Sequence, residues 1–334
     1  MALFDIHIKN MVGFCKLLLL AAALIWGFGF VVMKDTVAVI PPAWLLGIRF
    51  TATGLILVVV FHKKLRASLT REYLLFGVVL GIMLFLAFWI QTIGLVSTTP
   101  GKNAFLTASY VVLVPFIYWI VLRRRPTVYN IVAAAICIVG IGFVSLQESL
   151  TIGPGEALTI LSAVFFGIHI VFVSKWSDRC DVLVLTVYQF LVAGVCGLVI
   201  GVGFETLPPL SVLSETSFLL NMGFLIIFSS CLALAFQNFA LKYVPPSQAA
   251  LFLSTEAVFG ALFSVFLHGE VLTLRLVTGF CLIFIAIVIS ETFPLKEVPW
   301  HKRPKGFQKS PRAAQEATPT QEGASSGRHG RKPR

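Results

Sequence analysis

Apolar positions in this chain do not alternate with polar ones at the period of a strand, nor at the 3.6-residue spacing of an amphipathic helix. They run on. Ten runs of roughly 18 to 24 residues occupy 14–33, 44–62, 73–95, 104–122, 129–147, 157–175, 183–203, 218–241, 248–267 and 273–290, and about 20 such residues carry a helix across a bilayer. In lipid each backbone N–H and C=O must be satisfied within its own segment or a closed barrel, so runs of this length span as helices. The pattern predicts an all-α integral membrane protein with ten transmembrane helices. The first run, flanked by Lys16, reaches Met33 without a soluble domain after it, and reads as a retained helix rather than a leader.

The chain also resembles itself. Shifted by 140 positions, LIWGFGF (24–30) falls on VFFGIHI (164–170), Arg49-Phe50 on Gln189-Phe190 and Gly54 on Gly194. Shifted by 146, Gly77 falls on Gly223, Leu86-Ala87 on Leu232-Ala233, Gln91 on Gln237, Pro100 on Pro246 and Thr127 on Thr273. Five helices per half is an odd number, so the second half enters the membrane from the opposite side. The expected architecture is two inverted five-helix repeats, 14–147 and 148–291, between a short N-terminus (1–13) and a tail (292–334). Such repeats hold a central site between them and alternate its access.

Composition agrees: 57% of the 334 residues are hydrophobic and 12% charged, against about 25% charged in ordinary soluble domains. The net charge of +11 does not point to nucleic acid, because its largest share lies in the tail. Residues 294–334 hold ten Lys/Arg and three Glu among Pro, Gly, Ser and Gln, a composition too polar to fold alone and suited to a disordered segment near anionic headgroups. With the N-terminus inside, twelve Lys/Arg lie on the cytoplasmic side before the tail and 22 with it. Lys34, Lys102 and Arg275 lie outside, and Arg49 lies within a span. This bias predicts a multi-pass cell-membrane protein with both termini cytoplasmic.

Ionisable and polar residues inside the spans carry the chemistry, since facing lipid would be costly for them. Glu256 lies about 12 Å along its helix from Gln248 at a rise of roughly 1.5 Å per residue, near the bilayer midplane. It serves either proton coupling or solute contact, or it ties helix 9 to its neighbours. Arg49, about 9 Å from Ala43 on the same rise, either contacts an anion or snorkels to the outer interface. Gln91, Gln189, Gln237 and Gln248 are either ligand contacts or clasps between helices. His169 has the chemistry to handle a proton or simply packs. Trp26, Tyr110 and Tyr188 suit the wall of a cavity for a planar or apolar ligand. Pro115 is expected to kink helix 4, and Gly77/Gly81 and Gly197/Gly201 have the spacing of close helix packing.

LIWGFGFVVMKD, GIRF, IQTIGLVSTTPGKNAFLTASYVVLVP, RRRPT and STEAVFGALFSVFLHGE together resemble the EamA-type transporters of the drug/metabolite transporter superfamily, over residues 14–291. The resemblance implies that helices 1–4 and 6–9 surround a central cavity, with helices 5 and 10 peripheral. It implies secondary transport of small metabolites, amino acids or drugs, often outward, with a proton or ion as coupling partner. Arg49, Gln91 and Glu256 stand where that pattern often has the same residue types, whereas His268 does not.

A membrane enzyme would need clustered acidic metal ligands, or a histidine and carboxylate at an interface. Here Glu148, Glu156, Glu205, Glu215 and Glu270 stand apart in outer loops or at helix ends, and H-E-x-x-H, G-x-S-x-G and P-loop motifs do not occur. The expectation is a non-enzymatic exporter of a small molecule, without a metal or organic cofactor. A membrane enzyme acting on a lipid-soluble substrate and a passive channel remain the alternatives.

Overall fold

The computed structural model describes residues 2–123, 125–145, 152–176, 179–240, 243–244 and 252–292. The tail after Thr292 and Gln248 lie outside these. In chain order the helices are α1 (Ala2–Val37), α2 (Pro42–Ala67), α3 (Arg71–Val96), α4 (Pro100–Ala108), α5 (Tyr110–Leu122), α6 (Val128–Ser145), α7 (Pro154–Trp176), α8 (Val182–Phe204), the short α9 (Leu210–Leu213) and α10 (Thr216–Gly223). A π-helical stretch, Phe224–Leu232, leads into α11 (Ala233–Ala240), and α12 (Glu256–His268) and α13 (Leu274–Thr292) follow. Strands are absent among the described residues. Among the described residues eight segments are long and apolar enough to cross a membrane, and Phe252–His268 and Leu274–Ser290 are shorter apolar helices.

Three boundaries differ from expectation. Helix α1 begins at Ala2, well before position 14. The fourth span breaks at Ser109, between α4 and α5, and not at Pro115. Ser109 Oγ donates to the Leu106 carbonyl at 2.6 Å, which competes with the helical ladder, while the N–H that Pro115 lacks removes one bond from the following turn. The eighth span is one continuous rod of three pieces with the π-helical stretch in its middle.

Helices from the early and late parts of the chain pack against each other: α2 on α8, α3 on α7 and α8, α1 on α11 and α12, α4 on α12, and α6 on α13. Small residues make this possible. Gly47 lies against the backbone of Gly197, Gly27 against that of Gly260, Gly94 against Gly155, and Gly140 against Gly279. Gly77 and Gly81 receive Tyr188 and Val192 of α8, so their spacing serves packing within the chain.

One end of the bundle is tied by polar side chains. Lys34 Nζ donates to the carbonyls of Leu95, Val96 and Thr98 at 2.7–2.9 Å, placing a cation at the negative end of α3. The Glu205 carboxylate accepts from the backbone N–H of Ala43 and Trp44 at 3.0–3.2 Å and caps α2, whose first residue, Pro42, needs no acceptor. Thr99 Oγ1 donates to Glu270 at 2.5 Å, Lys102 pairs with Glu156 at 3.3 Å, and His268 with Asp35 at 3.0 Å. Glu156, Glu205 and Glu270 form no acidic cluster among the described residues, but each has a partner of its own. Their partners are 54 to 171 positions away, beyond the reach of any local pattern. The chain leaves α12 through Gly269, whose φ of 63° a side chain would resist.

The glycine crossings give a matched test. A Cβ on Gly27 would lie 2.5 Å from that of Phe259 and 2.9 Å from the Gly260 nitrogen, whereas a Cβ on Gly203 meets nothing within 4 Å. Gly27→Ala is expected to destabilise by about 1–3 kcal/mol through overpacking. Gly203→Ala should leave stability unchanged or raise it by up to about 1 kcal/mol. Thermal unfolding of the two purified variants checks this, and equal midpoints would contradict the close crossing of α1 and α12.

Candidate functional site

The helices line a cavity of about 230 Å³. Helical spacing decides which residues reach it. On α1, Trp26, Gly29, Phe30 and Met33 share one face at i, i+3, i+4 and i+7, and Leu84, Phe88 and Gln91 do the same on α3. Arg49 and Phe50 enter from α2, Thr107 from α4 and Tyr110 from α5. Phe166, His169 and Ile170 enter from α7, and Gln189 and Phe190 from α8. Ser229 and Ser230 come from the π-helical stretch, Leu234 and Gln237 from α11, and Leu253 and Glu256 from the turn into α12. Neither α6 nor α13 contributes.

Arg49 is 3% exposed and turned inward, not snorkelling. Its Nε donates to Ser230 Oγ at 3.0 Å, Nη2 to Ser229 Oγ at 3.0 Å, and Nη1 to the Met33 thioether at 3.2 Å. The rings of Phe50 and Phe88 lie 5.3 and 5.4 Å from the guanidinium carbon, close enough for cation–π attraction. Trp26 Nε1 donates to the Ser229 carbonyl at 2.8 Å, tying α1 to the π-helical stretch. The wider turn of a π-helix lets two consecutive hydroxyls address one guanidinium, and such segments recur at functional sites.

Two further polar groups are held by neutral partners. His169 Nε2 and Gln189 Oε1 are 2.8 Å apart, so that nitrogen carries the hydrogen. Gln91 Nε2 donates to Thr107 Oγ1 at 2.9 Å, and Asn103 Nδ2 donates to the Gln91 carbonyl at 3.4 Å and to Thr159 Oγ1 at 2.8 Å. Glu256 is different. It is 8% exposed and opens α12, and among the described residues no hydrogen-bond donor or cation reaches its carboxylate. Arg49 and Glu256 thus line the same cavity without pairing. Aromatic rings share the remaining wall with Leu84, Ile170, Leu234 and Leu253, with Phe88 edge-on to Phe166 at 5.0 Å and Phe50 at 5.4 Å from Phe190.

Trp26, Arg49, Gln91, Tyr110, His169, Gln189, Gln237 and Glu256 are thereby brought to one cavity. Tyr188 is not; its Cβ fills the space over Gly77, so it packs α8 on α3. Gln248 lies outside the described residues. Sequence reasoning missed Met33, Ser229 and Ser230. The Ser-Ser doublet inside an apolar run was the available signal, and Met33 offered none. Among the described residues no group of three His, Cys, Asp or Glu stands together to hold a metal ion.

The model of the EamA-like transporter family matches residues 13–146 and again 153–292. The chain is 30% identical over 273 residues to an uncharacterized transporter of Archaeoglobus fulgidus, covering 80% of this chain and 82% of that one. It is 23% identical to the uncharacterized transporter YoaV of Bacillus subtilis, over 87% of this chain and 100% of the other. YvbV of the same organism, also an uncharacterized transporter, is 27% identical over 83% of this chain and 91% of its own. A solved structure superposes with a TM-score of 0.60 at 15% identity, covering 83% of this chain and 96% of that one, a likeness of fold alone. An all-helical membrane chain matched by one family across both halves belongs to the EamA-like transporter family.

Proposed function

We propose that the protein is a secondary transporter that carries a small organic solute by alternating access, outward across the cell membrane, between two inverted five-helix halves. The observation that carries this reading is the pairing of the cavity's walls. At the offset of 140 for the first two helices of each half, Trp26 corresponds to Phe166, Gly29 to His169, Arg49 to Gln189 and Phe50 to Phe190. At 146 for the next two, Gln91 corresponds to Gln237 and Tyr110 to Glu256. Twenty of the twenty-two lining residues fall into ten such pairs, both members facing the cavity.

The breaks in the helices follow the same rule. Ser109 interrupts the fourth span and Thr255, 146 positions on, the ninth. Each hydroxyl donates at 2.6 Å to the carbonyl three residues back, and the residue after each break, Tyr110 or Glu256, enters the cavity. A site on a pseudo-two-fold axis in the membrane plane has equivalent routes to both faces. That supports alternating access over a fixed channel, and over catalysis, for which the cavity offers neither a nucleophile–base pair nor a metal site among the described residues.

In this reading Arg49, Gln91, Gln189 and Gln237 contact solute or hold the groups that do, His169 sits beside them, and Trp26 and Tyr110 shape the space. Glu256 takes up and releases the coupling proton, being the acidic side chain of the cavity without a fixed partner among the described residues.

Substitution Glu256→Gln keeps shape and hydrogen-bonding capacity while removing the titration. It is expected to abolish accumulation of solute driven by a proton gradient in proteoliposomes, while leaving expression, thermal stability and solute exchange in place. Normal gradient-driven accumulation with an unchanged pH profile would rule out the coupling role. The topology has its own test. Cysteine at position 123 or 125 in a cysteine-free background should resist an impermeant maleimide in intact cells and react after permeabilisation, and reaction in intact cells would overturn the inverted arrangement.

A further inference from the structure

We propose that the cavity contains a seat for an anion, a carboxylate or comparable oxyanion, on the cavity-facing edge of the Arg49 guanidinium, and that the transported solute presents such a group on a flat apolar body. This rests on the transport reading above. It begins where the cavity's symmetry fails. The two lining residues without a counterpart in the cavity are Met33, whose equivalent position is Val173, and Ser229, whose equivalent is Met83. Both of them bond Arg49, and Arg49 itself corresponds to the neutral Gln189. The two unpaired positions of the cavity are gathered around one cation.

That cation has support but no counter-charge. Among the described residues no carboxylate lies within 4.0 Å of it. Two hydroxyls and two ring faces offset part of the cost of holding a charge at this depth, and an oxyanion would offset far more of it. Donor counting points the same way. A guanidinium has five N–H groups; two are taken by the serines, one by a thioether, and the others find no acceptor among the described residues. Sulfur is a weak acceptor, so an entering oxygen displaces the Met33 contact at small cost, while the serines keep the fork oriented for a paired approach by a carboxylate. Trp26, Phe30, Phe50, Phe88, Phe166 and Phe190 line the same cavity and suit a flat apolar body beside the charge.

Binding to the purified full-length protein in nanodiscs tests this, read by intrinsic tryptophan fluorescence and thermal midpoint. The probes are benzoate and 3-phenylpropionate, their methyl esters, and the amines benzylamine and 3-phenylpropylamine. The acids should bind at least about tenfold more tightly than the esters or amines, the share of one charge-assisted contact. Arg49→Lys should remove most of that preference. Ser229→Ala with Ser230→Ala should weaken the acids several-fold and leave the esters unaffected, and Met33→Leu should retain acid binding. Equal binding of acid and ester, no binding of either acid at tens of millimolar, or full acid preference in Arg49→Lys would overturn the seat; the first two outcomes need no variant to fold. Accessibility of a cavity cysteine from each face of the membrane separates this inference from the one beneath it. Alternating accessibility without acid preference sinks the seat alone, whereas acid preference without alternation sinks the transport reading and leaves the seat standing.

Discussion

Helices in lipid gain nothing by leaving water behind, because the surrounding tails are as apolar as their own side chains. What joins them is backbone brought close to backbone, and in this chain that happens at glycine. Gly27 on Gly260, Gly47 on Gly197, Gly94 on Gly155 and Gly140 on Gly279 each join an early helix to a late one. The site depends on these crossings. Gly27 lies between Trp26 and Gly29 on α1 and meets the backbone of α12 one turn beyond Glu256, so a contact that excludes side chains on one face presents chemistry on the next.

Much of the site was legible in the sequence for the same reason that it is costly. A polar residue inside an apolar run has few places to go, and Arg49, Gln91, Gln189, Gln237 and Glu256 all went to the same cavity. Tyr188 was not legible in this way. An aromatic ring is at home in lipid, in packing or in a pocket, and here a missing Cβ on Gly77, in another helix, decided between them. Met33 was invisible because its part in the site is a contact of its sulfur, not a polarity that stands out. The partners of Glu156, Glu205 and Glu270 were not legible because each lies far away in the chain, that of Glu205 in the first turn of α2 across 162 positions.

The two ends of the bundle are built differently. At the end holding Lys34, charges and hydroxyls link α1 to α3 and to the last residue of α12, the turn after α12 to the N-cap of α4, and α4 to α7. At the other end Lys64 meets Asp181 and Glu72 meets Arg179 with both partners substantially exposed, where such pairs contribute little. The first set also satisfies helix termini, so it seals and caps in the same contacts. Among the described residues, the more deeply buried of these polar contacts lie at the end holding Lys34.

The π-helical stretch gives the eighth span a different kind of property. An α-helix advances 100° per residue, and Phe224–Leu232 departs from that count just where Ser229 and Ser230 meet Arg49. Removing one residue there would leave a rod still long enough to cross the bilayer, yet would turn everything before the deletion relative to everything after it. For this span length and phase are separate quantities: insertion into the membrane reads the first, and the guanidinium reads the second.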